Sequence, residues 1–126
     1  MYAFIIITNK LNFSNSVKDY FVSMSPVNFN NTKIFVFGLD STNENEIVKE
    51  LKQIMIENTK VKKGFIFSDF GDSLLTSKII ETSIENTFYS KGSLLEAGFL
   101  AFTLINGGAP IESIMMSMNR ELTKNN

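Results

Sequence analysis

Continuous runs of β-branched and aromatic residues recur along the chain, and each ends at a polar or glycine-containing turn. The three strongest runs span residues 2–8, 33–37 and 64–69. Apolar and polar residues do not alternate within them, which is typical of strands buried on both faces of a sheet. A weaker run at residues 87–91 predicts a fourth strand.

Between these runs, apolar residues recur at helical spacing. We expect a first helix capped by Ser14 or Asn15 that runs to about Met24. Ser41 and Glu44 have the spacing of a capping box for the second helix. A tight turn at residues 70–72 leads into the third. The apolar positions of these helices are Val17, Tyr20, Phe21, Met24, Ile47, Val48, Leu51, Ile54, Met55, Leu74, Leu75, Ile79 and Ile80.

The C-terminal part predicts two more helices. Residues 94–105 form the first, which stops at Asn106-Gly107-Gly108. Pro110 suits the first turn of the second, with Ile111, Ile114, Met115 and Met118 facing inward. We also expect a loop at Pro26 and residues 28–31, and a frayed end at residues 124–126.

Strands and helices alternate about four times over the 126 residues. This pattern predicts an α/β fold, a mainly parallel open sheet with helices on both faces. The length corresponds to one domain, spanning residues 1–126.

Composition narrows the possible functions. The chain has no His and no Cys, which removes imidazole, thiol and Cys/His metal chemistry, and we expect no cofactor or metal. The 12 basic and 13 acidic residues give a net charge of −1 and no reason to expect nucleic acid. Apolar stretches fall short of the roughly 20 residues of a membrane span, so we expect a cytoplasmic protein.

Ligands of such sheets bind beyond the carboxyl ends of the strands. This rule collects a candidate site from four strand ends. Its members are Thr8, Asn9, Lys10, Asp40, residues 69–73 and Ser93.

Three features near this site suggest specific chemistry, and other properties of the chain argue against the first two. Gly71-Asp-Ser-Leu74 matches a serine esterase string, but those enzymes need a histidine base. Asp69-Phe-Gly71 matches the kinase magnesium motif, but the other kinase motifs are missing and the chain is too short. Asp69 and Asp72 could still bind Mg²⁺ or accept a phosphoryl group, while Asp72 could instead cap a helix.

Several segments together resemble one family. The most specific are Gly64-Phe-Ile-Phe-Ser-Asp-Phe-Gly-Asp-Ser-Leu-Leu75 and Ser93-Leu-Leu-Glu-Ala-Gly98, continuing through Gly107-Gly-Ala109. With Phe4-Ile-Ile-Ile-Thr8, they resemble the mannose-type IIA family of the bacterial phosphotransferase system. Within it, the chain looks like the phosphotransfer subunit of phosphoenolpyruvate-dependent dihydroxyacetone kinase. The resemblance covers nearly the whole chain.

The resemblance implies a homodimer that takes phosphate from a small phosphocarrier protein and passes it to ADP on a kinase subunit. The family's phosphorylated histidine falls on Asn9, while Asp69 retains the aspartate that hydrogen-bonds the histidine ring. The binding positions that it implies are Thr8, Lys10, Gly71, Asp72, Ser73 and Glu96.

The chain departs from the family pattern around this position. The departures are Lys10 and Asp72 for serine, Ser93 for proline, Ala97 for glycine, and Ser41-Thr-Asn-Glu44 for a Gly-Thr turn. The amide nitrogen of Asn9 is not basic and cannot replace histidine as the nucleophile.

Three functions follow from these matches and departures. The first is a phosphotransfer subunit that cannot carry phosphohistidine. The second is a non-catalytic docking or regulatory relative that binds phosphotransferase-system or kinase partners. The third is a phosphotransferase that uses Asp69 or Asp72.

Overall fold

Parallel strands in the order β2-β1-β3-β4 form an open sheet within residues 1–24, 32–57 and 61–118, which the structure, a computed structural model, describes. The elements are β1 (Tyr2–Thr8), α1 (Leu11–Met24), β2 (Thr32–Gly38), α2 (Glu44–Glu57), β3 (Lys63–Ser68), α3 (Asp72–Ser83), β4 (Thr87–Tyr89), α4 (Leu94–Asn106) and α5 (Ile111–Ser117). The predicted α/β class, with a parallel sheet between helices, is confirmed.

The helices divide between the two faces of the sheet. Buried side chains of α1, α4 and α5 pack with Phe4 and Phe67 on one face. Buried side chains of α2 and α3 pack with Ile5 and Ile66 on the other. Successive residues of a strand point to opposite faces, which explains why β1 and β3 contribute to both clusters.

Strand β1 is the centre of the molecule because it pairs with β2 on one side and β3 on the other. Its residues 3–7 are fully buried. The ring of Phe4 stacks on Phe67 at 4.6 Å between centroids, and Phe102 meets it edge-on at 5.2 Å. Such aromatic pairs add stability beyond the area that they bury.

The register of the strands sets where their loops begin. Thr8 pairs with Gly38 of β2, and Ile7 pairs with Ser68 of β3. Strands β1, β2 and β3 therefore end side by side, and the three following loops leave from one edge of the sheet.

Two predicted helix starts are wrong because other residues supply the caps. Helix α1 begins at Leu11, since the Leu11 N–H donates to Asp40 Oδ1 at 2.9 Å, and Ser14 is buried inside the helix. In α2 the reciprocal capping pair is Asn43 and Glu46, joined by bonds of 2.9 and 2.7 Å. The sequence pattern for the α2 cap was shifted by two residues.

Helix α3 turns a different face inward from the one that its apolar residues indicate. The buried positions are Ser73, Thr76, Ser77 and Ile80, whereas Leu75 and Ile79 are 58% and 42% exposed. Small hydroxyl side chains at helical spacing therefore form the face that approaches the sheet.

The remaining boundaries differ little from the predictions. Strand β4 ends at Tyr89, two residues early, while α4 and the stop at residues 106–108 lie as expected, with Gly108 at φ 78°. The predictions for Pro26, residues 28–31 and residues 124–126 lie outside the described part of the chain. Among the described helices, none is both long and apolar enough to span a bilayer.

Candidate functional site

Asn9 ties the end of β1 to the turn that follows β3. Its Nδ2 donates to the carbonyl of Phe70 at 3.0 Å, and its Oδ1 accepts the Ser73 N–H at 3.2 Å. Both ends of the amide are therefore engaged with residues more than 60 positions away in the chain. The order β2-β1-β3 makes this the point where the chain reverses direction across the sheet, the usual ligand position in such folds.

Asp69 and Ser73 form a second contact of the same turn. The Ser73 hydroxyl donates to Asp69 Oδ1, and the carbonyl of Phe70 lies 3.2 Å from the same hydroxyl. Gly71 is the N-cap residue before α3 and has φ 75°, a backbone conformation that favours glycine. Asp72 is the first residue of α3, and the preceding position, Gly71, provides no side-chain cap, so the expectation that Asp72 caps this helix is wrong.

Thr8 was predicted as a binding residue, but its side chain is fully buried. Its hydroxyl lies 2.6 Å from the carbonyl of Lys10 and 2.7 Å from the Ser14 hydroxyl, which lies 2.7 Å from the carbonyl of Phe37. Two hydroxyl protons serve these three contacts, so one of the three contacts lacks a proton in any single arrangement. The contacts assign Thr8 to holding the loop together and leave it closed to a ligand.

The junction between β2 and α1 is equally tight. The Leu39 and Asp40 N–H groups donate to the carbonyls of Thr8 and Asn9 at 3.0 and 3.2 Å. A Cβ atom at Gly38 would lie 2.1 Å from the Leu11 nitrogen, so this contact requires glycine. We call Thr8, Leu11, Ser14 and residues 37–40 the closed half of the edge.

A cleft of about 400 Å³ opens on the other side of Asn9, between the N-terminal ends of α1 and α4. Large apolar side chains stand at its mouth and are partly in solvent, since Phe13 is 43%, Leu95 48% and Phe70 77% exposed. Its lining residues are Phe13, Ser68, Asp69, Phe70, Gly92, Ser93, Leu94 and Leu95. We call this set the open half of the edge.

The hydroxyl of Ser68 is buried and has no hydrogen-bond partner among the described residues. Ser68 pairs with Ile7, whose side chain packs on the face of α2 and α3. Paired residues of parallel strands share a face, so this hydroxyl points away from the cleft. Asp69, one residue on, returns to the face of α1 and α4.

The remaining predicted site residues are Lys10, Ser93 and Glu96, and none of them is hydrogen-bonded to Asn9 among the described contacts. Lys10 is exposed in the turn before α1, and its carbonyl accepts from the Phe13 and Ser14 N–H groups at 3.1 Å. Ser93 caps α4, since its hydroxyl accepts from the Glu96 N–H at 3.4 Å. Glu96 borders a shallower depression with Ser93 and Leu100. Within the described residues, no three His, Cys, Asp or Glu side chains converge as a metal site would require.

The sequence analysis located the polar part of this edge and missed the apolar part. It placed Asn9, Asp69 and Ser73 together, and the hydrogen bonds confirm that arrangement. It assigned no role to Phe13, Phe70 or Leu95. An aromatic residue inside a polar turn, as in Asp69-Phe-Gly71, was the available signal for an exposed apolar surface.

Comparison with known proteins defines the fold alone. No protein-family model matches the chain, and no curated protein matches it. A solved structure, described as the protein of unknown function EF1359, is similar over 100% of both chains with a TM-score of 0.67. At 16% sequence identity, this likeness extends to the architecture of the sheet and helices.

Proposed function

We propose that this chain is a relative of the mannose-type IIA phosphotransfer subunits that cannot carry phosphohistidine and acts by docking to phosphotransferase-system or kinase partners. One observation carries the proposal. The residue at the switch point of the sheet is Asn9, with its amide bonded to the turn that holds Asp69 and Ser73.

The chemistry of Asn9 argues against a phosphoryl acceptor at this position. Its nitrogen lone pair is delocalised into the amide, and its two N–H bonds make it a donor. The donor is already engaged with the carbonyl of Phe70. A histidine at this position would offer a basic ring nitrogen beside the carboxylate of Asp69, an arrangement that orients the ring in other enzymes.

The open half supports docking as the remaining role. Phe13, Phe70 and Leu95 stand partly in solvent around Asp69, and grouped exposed apolar side chains are typical of interaction sites. The family resemblance supplies the identity of the partners, a phosphocarrier protein or a dihydroxyacetone kinase subunit. A second copy of the chain, as a homodimer, belongs to the same proposal.

A carboxylate acceptor is the second candidate. One observation favours it: Asp69 follows β3 directly, and only its Oδ1 is hydrogen-bonded among the described residues. Attack by Oδ2 on the phosphorus of a carrier phosphohistidine would form the P–O bond of an acyl phosphate as the P–N bond breaks. The imidazole, protonated on its other ring nitrogen, would leave as neutral histidine. The labelling experiment described next separates the two candidates.

The test is transfer of radiolabelled phosphate from phosphoenolpyruvate through the general enzyme and its carrier protein. We expect no label on the unaltered chain. Asn9→His, combined with Lys10→Ser, should take up acid-labile label. Asn9→Ala is the matched control, because it removes the same two hydrogen bonds without supplying an imidazole.

Two results would count against the proposal. Hydroxylamine-labile label on the unaltered chain that disappears in Asp69→Asn would establish the carboxylate acceptor. A folded Asn9→His/Lys10→Ser variant that stays unlabelled would mean that the carrier does not dock here. Light scattering at micromolar concentration tests the dimer separately, and a monomer mass would remove that part.

A further inference from the structure

The cleft of the open half is lined by one carboxylate, and none of the described basic side chains pairs with it. Asp69 lines it, and its Oδ1 accepts the Ser73 hydroxyl. Oδ2 has no hydrogen-bond partner, and no Lys or Arg is within ion-pair distance, among the residues that the structure describes. A carboxylate in a partly dehydrated cleft gains most from a cationic donor, because charge-assisted hydrogen bonds are the stronger ones.

The walls of the cleft indicate which chemical group would be attached to such a cation. The polar lining residues are Ser68, Asp69 and Ser93, and the Ser68 hydroxyl points to the opposite face of the sheet. The other side chains make the walls apolar: Phe13, Phe70, Leu94 and Leu95. Aromatic rings attract cations through their faces and pack against hydrocarbon. The side chain of Ser93 already accepts the Glu96 N–H, which leaves its hydroxyl proton free to donate.

The size of the cleft favours a small molecule as the occupant. Its volume of about 400 Å³ is within the range of ligand pockets, roughly 300 to 1,000 Å³. The ligand pockets of proteins combine apolar walls with a few polar groups that fix orientation. Among the described lining residues, these polar groups are the carboxylate of Asp69 and the hydroxyl of Ser93, between apolar walls.

We propose that this cleft binds a small organic cation, a primary ammonium group on an aromatic or aliphatic body. The ammonium donates to the free carboxylate oxygen of Asp69, and the body lies between Phe13, Phe70 and Leu95. This proposal shares Asp69 and the open half with the functions proposed above, but it requires no transfer of phosphate, so ligand binding and phosphate labelling test different claims.

The test is a charge series on the unaltered chain, followed in amide ¹H–¹⁵N spectra. The probes are 2-phenylethylammonium, 2-phenylethanol and 3-phenylpropanoate, which share a phenyl body and differ in the charge of the head group. The ammonium should cause saturable shifts at residues 13, 69–70 and 92–95. It should bind at least about tenfold more tightly than the alcohol, since a hydrogen bond to a charged group is worth that much. The carboxylate should bind more weakly still.

Two variants locate the site. Asp69→Asn keeps an oxygen for the Ser73 hydroxyl and removes the charge, so ammonium affinity should fall about tenfold and the preference over the alcohol should vanish. Asp19→Asn is the matched control, because it removes an equal charge at an exposed position of α1 that does not line the cleft. Its affinity should stay within about twofold of the unaltered chain.

Three outcomes would overturn the proposal. Equal binding of ammonium and alcohol would show that the carboxylate plays no part. Shifts confined to other residues would place the site elsewhere. An acetylated dipeptide of lysine and phenylalanine that binds more than tenfold tighter than the free amine would assign the cleft to a protein partner. The charge series uses only the unaltered chain, so it decides the matter even if Asp69→Asn does not fold.

Discussion

The closed and open halves of one sheet edge differ in how their polar and apolar groups are used. In the closed half, the hydroxyls of Thr8 and Ser14 are buried, and Asp40 caps α1. In the open half, Asp69 keeps a free oxygen among the described residues and Phe70 stands 77% exposed. The closed half connects β1, β2 and α1 to one another. The open half retains surface that a ligand or partner can cover.

Asn9 is the boundary between the two halves. Its backbone carbonyl accepts from Asp40 in the closed half, and its side chain bonds Phe70 and Ser73 in the open half. A polar side chain at a switch point can therefore have a structural use that needs no chemistry.

The largest expected effect lies in the closed half. Gly38→Ala would bring a Cβ within 2.1 Å of the backbone nitrogen of Leu11, and backbone cannot yield as a side chain tip can. We expect a loss of about 3 kcal/mol in the free energy of unfolding, the upper end for overpacking. Urea denaturation measures it.

Gly71→Ala is the matched control for that substitution. A Cβ at Gly71 meets nothing closer than 3.7 Å, so only the backbone conformation, φ 75° with ψ −134°, opposes it, at a cost of about 2 kcal/mol. Equal losses in the two variants would mean that the closed half is no tighter than the open half.

An intermediate effect is expected at the boundary. Asn9→Ala removes the bonds to Phe70 and Ser73, and we expect a loss of about 1 kcal/mol in unfolding free energy, since the freed groups can meet water. Asn12→Ala, at an exposed position of α1, is the control and should change stability by less than about 0.5 kcal/mol. Indistinguishable stabilities for the two variants would remove the structural role given to Asn9.

The smallest effect on stability is expected in the open half. Phe70→Ala removes a side chain that is 77% exposed, so the unfolding free energy should change by less than about 0.5 kcal/mol. The affinity for 2-phenylethylammonium should nevertheless fall several-fold, because one aromatic wall is lost. A stability loss above about 1 kcal/mol would instead make Phe70 a packing residue.

Features that depend on local pattern were predicted well. The strands that form the centre of the sheet are unbroken apolar runs, and residues 3–7 are fully buried as that pattern requires. The stop of α4 at Gly107 and Gly108 follows from glycine next to a helix end. The meeting of Asn9 with the turn that holds Asp69 and Ser73 followed from the rule that parallel strands end at one edge.

Features that depend on contacts between distant segments were not predictable. Helix α1 starts at Leu11 because Asp40, 29 residues later, accepts its N–H. Helix α3 buries Ser73 and Ser77 and exposes Leu75, because the face that approaches the sheet is chosen by packing. No local pattern contains either fact.

The sequence by itself determined the α/β class, the buried strands and the absence of imidazole and thiol chemistry, because periodicity and side-chain composition act within a few residues. Only the tertiary structure decided that Thr8 is closed to ligands and that Asp69 faces an apolar cleft beside Phe13. The physical reason is that burial and hydrogen-bond partners depend on which segments meet across the sheet. Thr8 and Asp69 are polar residues at the ends of two neighbouring strands. The first is buried in contacts between segments, and the second lines an open cleft.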